Sequence, residues 1–419
     1  MIEICNLMQP QGKIINDPVY GFLHFAEPEV RSVIEHPWFQ RLRHIKQMGM
    51  SHLVYPGAVH TRLHHSLGAC HLMGKALEVL KQKGVSLSRE DCTASRLAIL
   101  LHDIGHGPFS HALESSLVEG VTHEMLSAMM MRRMNEEMDG KLTDALEIFD
   151  HAYPKKYLHQ LVSGQLDVDR MDYLNRDSFY TGVSEGIIGY DRILQMLTVV
   201  NNELAVEEKG IQSVEKFIIA RRLMYWQVYL HKTSLGAELL LSRVLKRAKE
   251  LVQEGNTLFA TPALHHFLSH RLTQKDFEED PRHLALFASL DDAEIFTAIK
   301  MWQSAEDPVI ATLSQMLVHR RLYKTQLSSQ PLDELLEAKV NEFKKYFPQF
   351  SNEVIPYFVF TGVTQNSAYN IDDEKIVIAM KNDTIKDISE VDNALVTQAL
   401  AQSIHKNYIC YTVSNNHIL

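Results

Sequence analysis

The chain has 419 residues, of which 45% are hydrophobic and 22% are charged, and its formal net charge is −10 at pH 7. This composition is that of an ordinary globular protein with a large core, and the acidity argues against a general nucleic-acid scaffold. No apolar run is long enough to span a membrane, and the four cysteines have no metal-ligand spacing. We therefore expect a cytoplasmic protein with free thiols and no membrane partner.

The first part of the chain predicts short strands and then a series of helices. Residues 1–22 contain β-type runs that turn residues interrupt. Apolar residues at helical spacing predict helices over 27–34, 37–48, 65–83, 88–102, 123–138, 142–150 and 155–162. Ser88 and Asp91 form a capping-box pattern at the start of the helix that leads into His102, and Thr122 is the predicted N-cap of another.

The second part of the chain predicts longer helices and then strands. Residues 213–252 form one very long helical pattern, whose length suggests a central or interface helix, and further helices fill 262–346. Beyond them, β-rich runs cover 354–360, 375–380 and 408–413. We therefore predict a mainly α fold with a helical core over 1–330 and a small α+β unit over 331–419.

Potential metal ligands are concentrated after the apolar run 97–101. Two imidazoles and a carboxylate occur within five residues there, at His102, Asp103 and His106. A buried carboxylate is costly unless something compensates its charge, and a metal ion beside imidazole does so well. The sequence therefore predicts a metal site at the inner end of this helix.

A catalytic metal needs more protein ligands and an open position for water. His65 is the best upstream candidate and Asp169 the best downstream one. Together with His102 and Asp103 they form a set of two imidazoles and two carboxylates. Such a set suits Mn, Fe, Mg, Ni or Zn, and the sequence does not choose among these metals.

Three segments, Thr61–Gly68, His102–His111 and Asp167–Tyr173, resemble in order the motifs of the HD-domain phosphohydrolases. The extended motif through His111, together with Phe39–Gln47 and Tyr55–Ala58, is most similar to the deoxynucleoside triphosphate (dNTP) triphosphohydrolases of that superfamily. The resemblance runs from about residue 10 to residue 240 and implies an HD-domain helical core. It assigns the metal to His65, His102, Asp103 and Asp169, and implies a second Mg²⁺ on the triphosphate.

The resemblance also implies an activity, the hydrolysis of a dNTP to a deoxynucleoside and inorganic triphosphate. Water activated by the metal would attack the α-phosphorus. His111 would act as general acid, oriented by Glu114 three residues later, where members of the family often have Asp. His106 and His123 would donate hydrogen bonds to the α-phosphate and stabilise the developing charge.

A substrate pocket is implied for six residues, namely Gln47, Arg62, Arg170, Tyr173, Asp177 and Arg221. Its arginines would hold the triphosphate, because guanidinium groups match phosphate oxygens. Its tyrosine would stack on the sugar and exclude a 2′-hydroxyl, while the amide and the carboxylate would hold the 3′-hydroxyl. Tyr173 could instead be a core aromatic residue, and Arg221 could form a surface salt bridge.

Some members of the family are oligomers that nucleotides activate, and Lys13, Asn16, Gln40 and Arg43 resemble their guanine-recognition positions. Alternatively, Arg41, Arg43 and Lys46 could form the solvated face of an amphipathic helix. The long helix and the family likeness predict a homo-oligomer, either a tetramer or a dimer of dimers.

Three functions stay open at this point. The leading one is a metal-dependent dNTP triphosphohydrolase, for which a need for a guanine-nucleotide activator stays open. The second is an HD-domain phosphatase or phosphodiesterase that acts on another nucleotide. The third is a nucleotide-sensing or nucleic-acid-binding protein with a vestigial site.

Overall fold

Helices dominate the computed structural model, which describes residues 12–109, 118, 120–366, 375–382, 384–391 and 404–413. Strands add small sheets to this helical core, and several of them come from the end of the chain. The predicted fold class, a mainly α core with a small strand-containing C-terminal region, is therefore confirmed. None of the helices in the described ranges combines the length and the apolar composition that a bilayer crossing needs.

The described α-helices, numbered in chain order, are α1 Pro28–Glu35, α2 Pro37–Gln40, α3 Arg62–Gln82, α4 Arg89–Leu101, α5 His123–Glu137, α6 Thr143–Phe149, α7 Lys156–Ser163, α8 Val168–Thr181, α9 Tyr190–Met196, α10 Ile211–Met224, α11 Lys232–Gln253, α12 Pro262–Ser269, α13 Gln274–Glu279, α14 Pro281–Phe287, α15 Asp292–Trp302, α16 Pro308–Val318 and α17 Asp333–Tyr346. A π-helix covers Tyr225–Tyr229, and short 3-10 helices cover Arg41–His44, Gly49–Leu53, Ser184–Gly186, Glu208–Gly210, Asn352–Tyr357 and Ile388–Glu390.

The described strands are β1 Lys13–Asp17, β2 Gly21–Phe25, β3 Leu197–Val200, β4 Glu203–Glu207, β5 Lys324–Ser328, β6 Val359–Asn366, β7 Val377–Ala379, β8 Ile385–Asp387 and β9 Ile404–Tyr411. β1 and β2 form an antiparallel hairpin, which agrees with the predicted β-type start. The other sheets have the orders β3-β4-β7-β8 and β5-β9-β6. β4 pairs with β7 and β5 with β9, so hydrogen-bonded strands cross residue 330, and the division of domains there stays a prediction.

The core that positions the site is built on α3, which packs against both α4 and α8. Leucines and isoleucine of α4 from Leu97 to Leu101 are at most 1% exposed, as their apolar run predicts. Burial of these side chains supplies the main driving force that fixes the helix against its neighbours. As a result, the first turn of α3, the end of α4 and the start of α8 lie close together.

The predicted helix over 37–48 is wrong beyond its first turn. α2 ends at Gln40, a 3-10 turn follows, and Ile45 is extended, with φ −118° and ψ 115°. The backbone then pairs elsewhere, since Lys46 forms a bridge with Thr61 and its N–H donates to Asp292 Oδ2 at 3.0 Å. These partners lie far along the chain, so helical spacing alone does not reveal them.

Two further helix predictions need correction. The single helix over 213–252 is interrupted by the π-helix and by a break at Leu230, after which His231 caps α11 by accepting from the Thr233 N–H at 3.2 Å. The π-helix lets the Tyr229 hydroxyl donate to Asp177 Oδ2 at 2.6 Å. The helical stretch over 262–346 is interrupted by β5, whose partner β9, Ile404–Tyr411, lies outside that stretch.

The capping box predicted at the start of α4 is confirmed. Ser88 Oγ accepts from the Asp91 N–H at 3.0 Å, and Asp91 Oδ2 accepts from the Ser88 N–H at 2.6 Å. Asp91 is 3% exposed and also accepts from Tyr153 and Lys155, at 2.9 and 2.6 Å. Burial alone would raise the pKa of Asp91, but these bonds outweigh it, and the pKa lies below its ordinary value.

Asp91→Asn should therefore lower the free energy of unfolding at pH 7 by about 1–2 kcal/mol, because a neutral amide pairs less well with Lys155. The folded pKa of this carboxyl lies below its unfolded value of about 3.9, so its stabilisation is complete above about pH 4. That stabilisation disappears as the pH falls through the folded pKa. Urea unfolding of both proteins at several pH values checks this. A difference as large at pH 3 as at pH 7 would contradict it.

Candidate metal centre

Three candidate ligands come from the ends of three helices. His65 lies in the first turn of α3, which begins after Thr61. His102 is the C-cap of α4, where the buried apolar run ends. Asp169 lies in the first turn of α8, whose N-cap Asp167 accepts from the Arg170 N–H at 2.7 Å.

The ligand atoms of these three residues lie within 4.8 Å of one another. The Nε2 atoms of His65 and His102 are 3.4 Å apart. Asp169 Oδ1 lies 3.0 Å from His65 Nε2 and 3.4 Å from His102 Nε2. Three segments that lie far apart in the chain thus present two imidazole nitrogens and one carboxylate oxygen to a common point.

Hydrogen bonds on the far side of each ring point both Nε2 lone pairs towards that point. His65 Nδ1 lies 2.8 Å from Asp172 Oδ2, and His102 Nδ1 lies 2.6 Å from the Ile99 carbonyl oxygen. Both partners are acceptors, so a neutral ring donates from Nδ1 and leaves Nε2 unprotonated. This is the usual second-sphere arrangement of metal-ligating histidines. The donor set therefore fits a divalent cation.

The charges around His65 also favour a cation. Burial lowers the pKa of this fully buried imidazole, but its bonds to Asp169 and Asp172 outweigh burial and raise the pKa to about 10. Burial raises the pKa of Asp169 as well, yet His102 and His65 outweigh it and hold the pKa well below its usual range. The carboxylates thus stabilise positive charge here, either a proton or a metal ion.

Asp103, the fourth predicted ligand, lies beside this group. Its Oδ1 is 3.3 Å from His102 Nε2, and its Oδ2 is 3.8 Å from His65 Nε2. Arg62 Nη1 donates to the same Oδ2 at 2.5 Å, which links the predicted phosphate-binding arginine to the centre. Asp103 thus lies near both imidazoles, and its role as a ligand stays a prediction.

The structure also brings the two predicted phosphate-contacting histidines together. The rings of His106 and His123 are stacked, with centroids 3.8 Å apart and an interplanar angle of 16°. Burial, with the nearby charge of Arg62, lowers the pKa of His106 to about 3, so its ring is neutral. His111 and Glu114, the predicted general acid and its partner, lie outside the described residues.

Predicted sugar-contacting residues meet in one network. Asp177 Oδ1 lies 2.7 Å from His60 Nε2, and its Oδ2 accepts from the Tyr229 hydroxyl at 2.6 Å. Tyr173 lies edge-on to Tyr229, with ring centroids 6.1 Å apart. The Gln47 N–H donates to the His60 carbonyl at 3.0 Å. In the described ranges, the buried Gln47 Oε1 has no hydrogen-bond partner. Buried polar atoms normally have one, so this oxygen is a candidate acceptor for a ligand.

The sequence analysis did not identify His60 and Tyr229. His60 directly precedes the Thr61–Gly68 motif, and that position was its available signal. Tyr229 carried no such signal, because it reaches Asp177 only through the π-helix.

Two predicted phosphate-binding arginines differ in their surroundings. The Arg170 guanidinium donates to Asp167 and to the Gly164 carbonyl, which holds it at the N-terminal cap of its own helix. Arg221 lies close enough to Tyr173 to interact with it electrostatically. Burial raises the pKa of the Tyr173 phenol, and the positive charge of Arg221 opposes that rise. Their binding of a triphosphate stays a prediction.

The four predicted activator residues occupy the N-terminal region. Arg43 Nε donates to Gln40 Oε1 at 2.6 Å, so these two are in contact. Lys13 and Asn16 lie on β1, where Lys13 forms an exposed ion pair with Glu35 at 3.1 Å. Guanine recognition by this group stays a prediction.

Arg41 holds the loop that follows His102, whereas the sequence analysis considered it only as part of a solvated helix face. Its guanidinium donates to the carbonyls of Ile104 and His106, at 3.2 and 2.8 Å. The neighbouring Asp292 Oδ1 accepts from the Phe109 N–H at 3.2 Å. Arg41 is only 7% exposed, so the solvated helix face considered for this segment does not include it.

Comparison with known proteins agrees with this geometry. Residues 62–177 match the HD domain family, and residues 188–261 match the HD associated region. A phosphohydrolase of known structure from Bacteroides thetaiotaomicron VPI-5482 is 47% identical, with a TM-score of 0.92, over 96% of this chain and 100% of that one. Uncharacterized protein YwfO of Bacillus subtilis (strain 168) is 34% identical over 75% of this chain and 72% of its own length.

A more distant relative carries a functional name. Human deoxynucleoside triphosphate triphosphohydrolase SAMHD1 is 29% identical over 58% of this chain, and the chain spans 45% of that protein's length. The chain belongs to the HD-domain phosphohydrolase superfamily, and within it the chain resembles the dNTP triphosphohydrolases. HD domains bind divalent metals, and the His65, His102 and Asp169 group could hold one.

Proposed function

We propose that this chain hydrolyses dNTPs to deoxynucleosides and inorganic triphosphate with one divalent cation. The observation that carries the proposal is the convergence of His65, His102 and Asp169 on one point, with both imidazole lone pairs directed at it. Similarity to deoxynucleoside triphosphate triphosphohydrolases supports the choice of substrate. A divalent cation supplies Lewis-acid polarisation of a phosphate oxygen and acidification of water, with a pKa of about 7 in favourable sites.

In this proposal, side chains around the centre bind the phosphates. Arg62 lies against Asp103 at the edge of the centre, where its charge attracts an anionic substrate. Neutral His106 and the stacked His123 donate hydrogen bonds to the α-phosphate. Arg170 and Arg221 hold the outer phosphates, and the contacts of Arg170 with Asp167 and the Gly164 carbonyl both use its Nη1.

On the other side of the centre, the network around Asp177 selects the sugar. His60 and Tyr229 fix the Asp177 carboxylate in place. With the buried Gln47 Oε1, this carboxylate offers acceptors to a 3′-hydroxyl. Tyr173 packs against the same network, and its ring excludes a 2′-hydroxyl.

The remaining roles complete the proposal. His111, oriented by Glu114, protonates the leaving 5′-oxygen. A second Mg²⁺ accompanies the triphosphate, and a guanine nucleotide bound at Lys13, Asn16, Gln40 and Arg43 activates a cytoplasmic homo-oligomer. The identity of the resident metal, among Mn, Mg, Fe, Ni and Zn, is to be determined by metal analysis of the purified protein.

The test is product analysis of dGTP incubated with the protein and Mn²⁺. We expect deoxyguanosine and inorganic triphosphate in equal amounts, with hydrolysis lost on adding EDTA, because the cation is required. GTP in place of dGTP should react poorly, since its 2′-hydroxyl would meet Tyr173. Release of a nucleoside monophosphate would support the alternative phosphatase or phosphodiesterase. No reaction with any of the four dNTPs, alone or with a guanine nucleotide added, would overturn the proposal.

A further inference from the structure

A chain of buried charges runs from the metal centre to the N-terminal hairpin. Its first member is Asp172, which is 0% exposed and whose Oδ2 lies 2.8 Å from His65 Nδ1. The second is Arg176, also 0% exposed, which donates from Nε to Asp172 Oδ2 and from Nη2 to Oδ1, both at 2.9 Å. This two-pronged contact fixes the orientation of the Asp172 carboxylate.

The third member is Asp17, the last residue of β1, which is 4% exposed. Arg176 Nη1 donates to Asp17 Oδ2 at 2.8 Å. The other carboxylate oxygen of Asp17 accepts from the N–H groups of Val19 and Tyr20, at 2.9 and 3.0 Å. Asp17 therefore anchors Arg176 to the turn of the hairpin and is itself held by that turn.

Gly68 leaves room for this arrangement. A Cβ atom at this position would fall on Arg176 Nη2 and Asp172 Oδ1. The glycine one turn after His65 therefore lets the carboxylate and guanidinium approach the backbone of α3. The absence of a side chain at this position is independent evidence that the packing around α3 accommodates the chain of buried charges.

We propose that Asp17 and Arg176 are positioning residues, which orient the metal ligand His65 through Asp172 and make the N-terminal hairpin part of the metal centre. Without the Asp17 charge, Arg176 loses a charge-assisted bond, and the Asp172 carboxylate gains freedom to rotate. His65 then loses its fixed orientation and its Nε2 lone pair no longer points reliably at the cation. The inference rests on the metal centre of the proposed function.

The test measures Mn²⁺ affinity of the full chain by the electron paramagnetic resonance signal of free Mn²⁺, without any substrate. Asp17→Asn keeps an oxygen for the turn N–H groups but removes the charge. It should weaken Mn²⁺ binding about 10-fold, within the range of about 10–100-fold that loss of an outer-sphere partner causes. Asp172→Asn should weaken binding at least as much. In the Asp172→Asn background, Asp17→Asn should add little, because its effect passes through Asp172.

A matched control separates this effect from lost stability. Asp307 is a partly buried aspartate that caps a helix by accepting from the Ile310 N–H at 2.8 Å. It also pairs with Arg247 at 2.6 Å, but it lies outside the chain of buried charges. Asp307→Asn should lower the melting temperature and leave Mn²⁺ affinity unchanged. Wild-type affinity in Asp17→Asn, or fully additive effects with Asp172→Asn, would overturn the positioning role. Absence of Mn²⁺ binding by the wild-type chain would instead overturn the proposed function.

Discussion

Asp169→Asn is expected to weaken Mn²⁺ binding by more than about 100-fold and to remove dNTP hydrolysis, since it takes away a ligand rather than an outer-sphere partner. The Asp169 carboxylate faces both imidazole Nε2 atoms, at 3.0 and 3.4 Å. The negative charge of this carboxylate also offsets the positive charge of a bound cation. A neutral amide retains the shape but offers a weaker ligand and no charge. Equilibrium titration with Mn²⁺ and the dGTP product assay measure the two losses.

A surface aspartate provides the control for this variant. Asp191 pairs with Lys75 at 3.2 Å, and its side chain is 69% exposed. Asp191→Asn should therefore match the wild-type chain in Mn²⁺ affinity and in hydrolysis. Hydrolysis at the wild-type rate by Asp169→Asn would contradict the metal assignment.

Gly68→Ala should lower the free energy of unfolding by about 3 kcal/mol or more, because its methyl group displaces the buried Asp172–Arg176 ion pair. In a helix interior, alanine is more favourable than glycine by about 1 kcal/mol. A loss of stability in Gly68→Ala would therefore occur despite the higher helix propensity of alanine. Mn²⁺ affinity should fall with stability, since Asp172 contacts His65. Urea unfolding and Mn²⁺ titration measure the two effects.

Gly74 lies in the same helix and supplies a matched control. A Cβ atom there would lie 3.7 Å from Arg96 Nε, which is ordinary van der Waals contact. Gly74→Ala should therefore be neutral or stabilising, with unchanged Mn²⁺ affinity. Equal stability of the two alanine variants would show that the chain of buried charges does not require glycine at position 68.

The sequence indicated three residues that the structure brings together as candidate ligands, but it indicated less about the residues around them. His65, His102 and Asp169 stand in short motifs whose residue types suit a metal, so they could be identified although they lie far apart in the chain. Asp172 lies in the Asp167–Tyr173 segment, and its spacing of three residues from Asp169 and four from Arg176 offered a signal that was not used. Asp17 offered none, because its contact with Arg176 joins residues 159 positions apart.

The errors in the helix predictions have a similar origin. Helical spacing covers residues 37–48 and 213–252, but it does not register competing partners. The Lys46 N–H donates a hydrogen bond to Asp292 instead of continuing a helix. In the segment before α11, the Tyr229 hydroxyl donates to Asp177. Long-range hydrogen bonds therefore outweigh local preference where the chain lines the site.

The π-helix at Tyr225–Tyr229 makes the number of residues in this segment a determinant of the hydrogen-bond network around Asp177. A π-turn contains one residue more than an α-turn, and each α-helical residue adds a rotation of about 100° and a rise of about 1.5 Å. Loss of one residue here would carry the Tyr229 hydroxyl away from Asp177 even with every side chain type retained. An alignment of related chains that allows a one-residue gap in this segment would therefore equate tyrosines that face different directions.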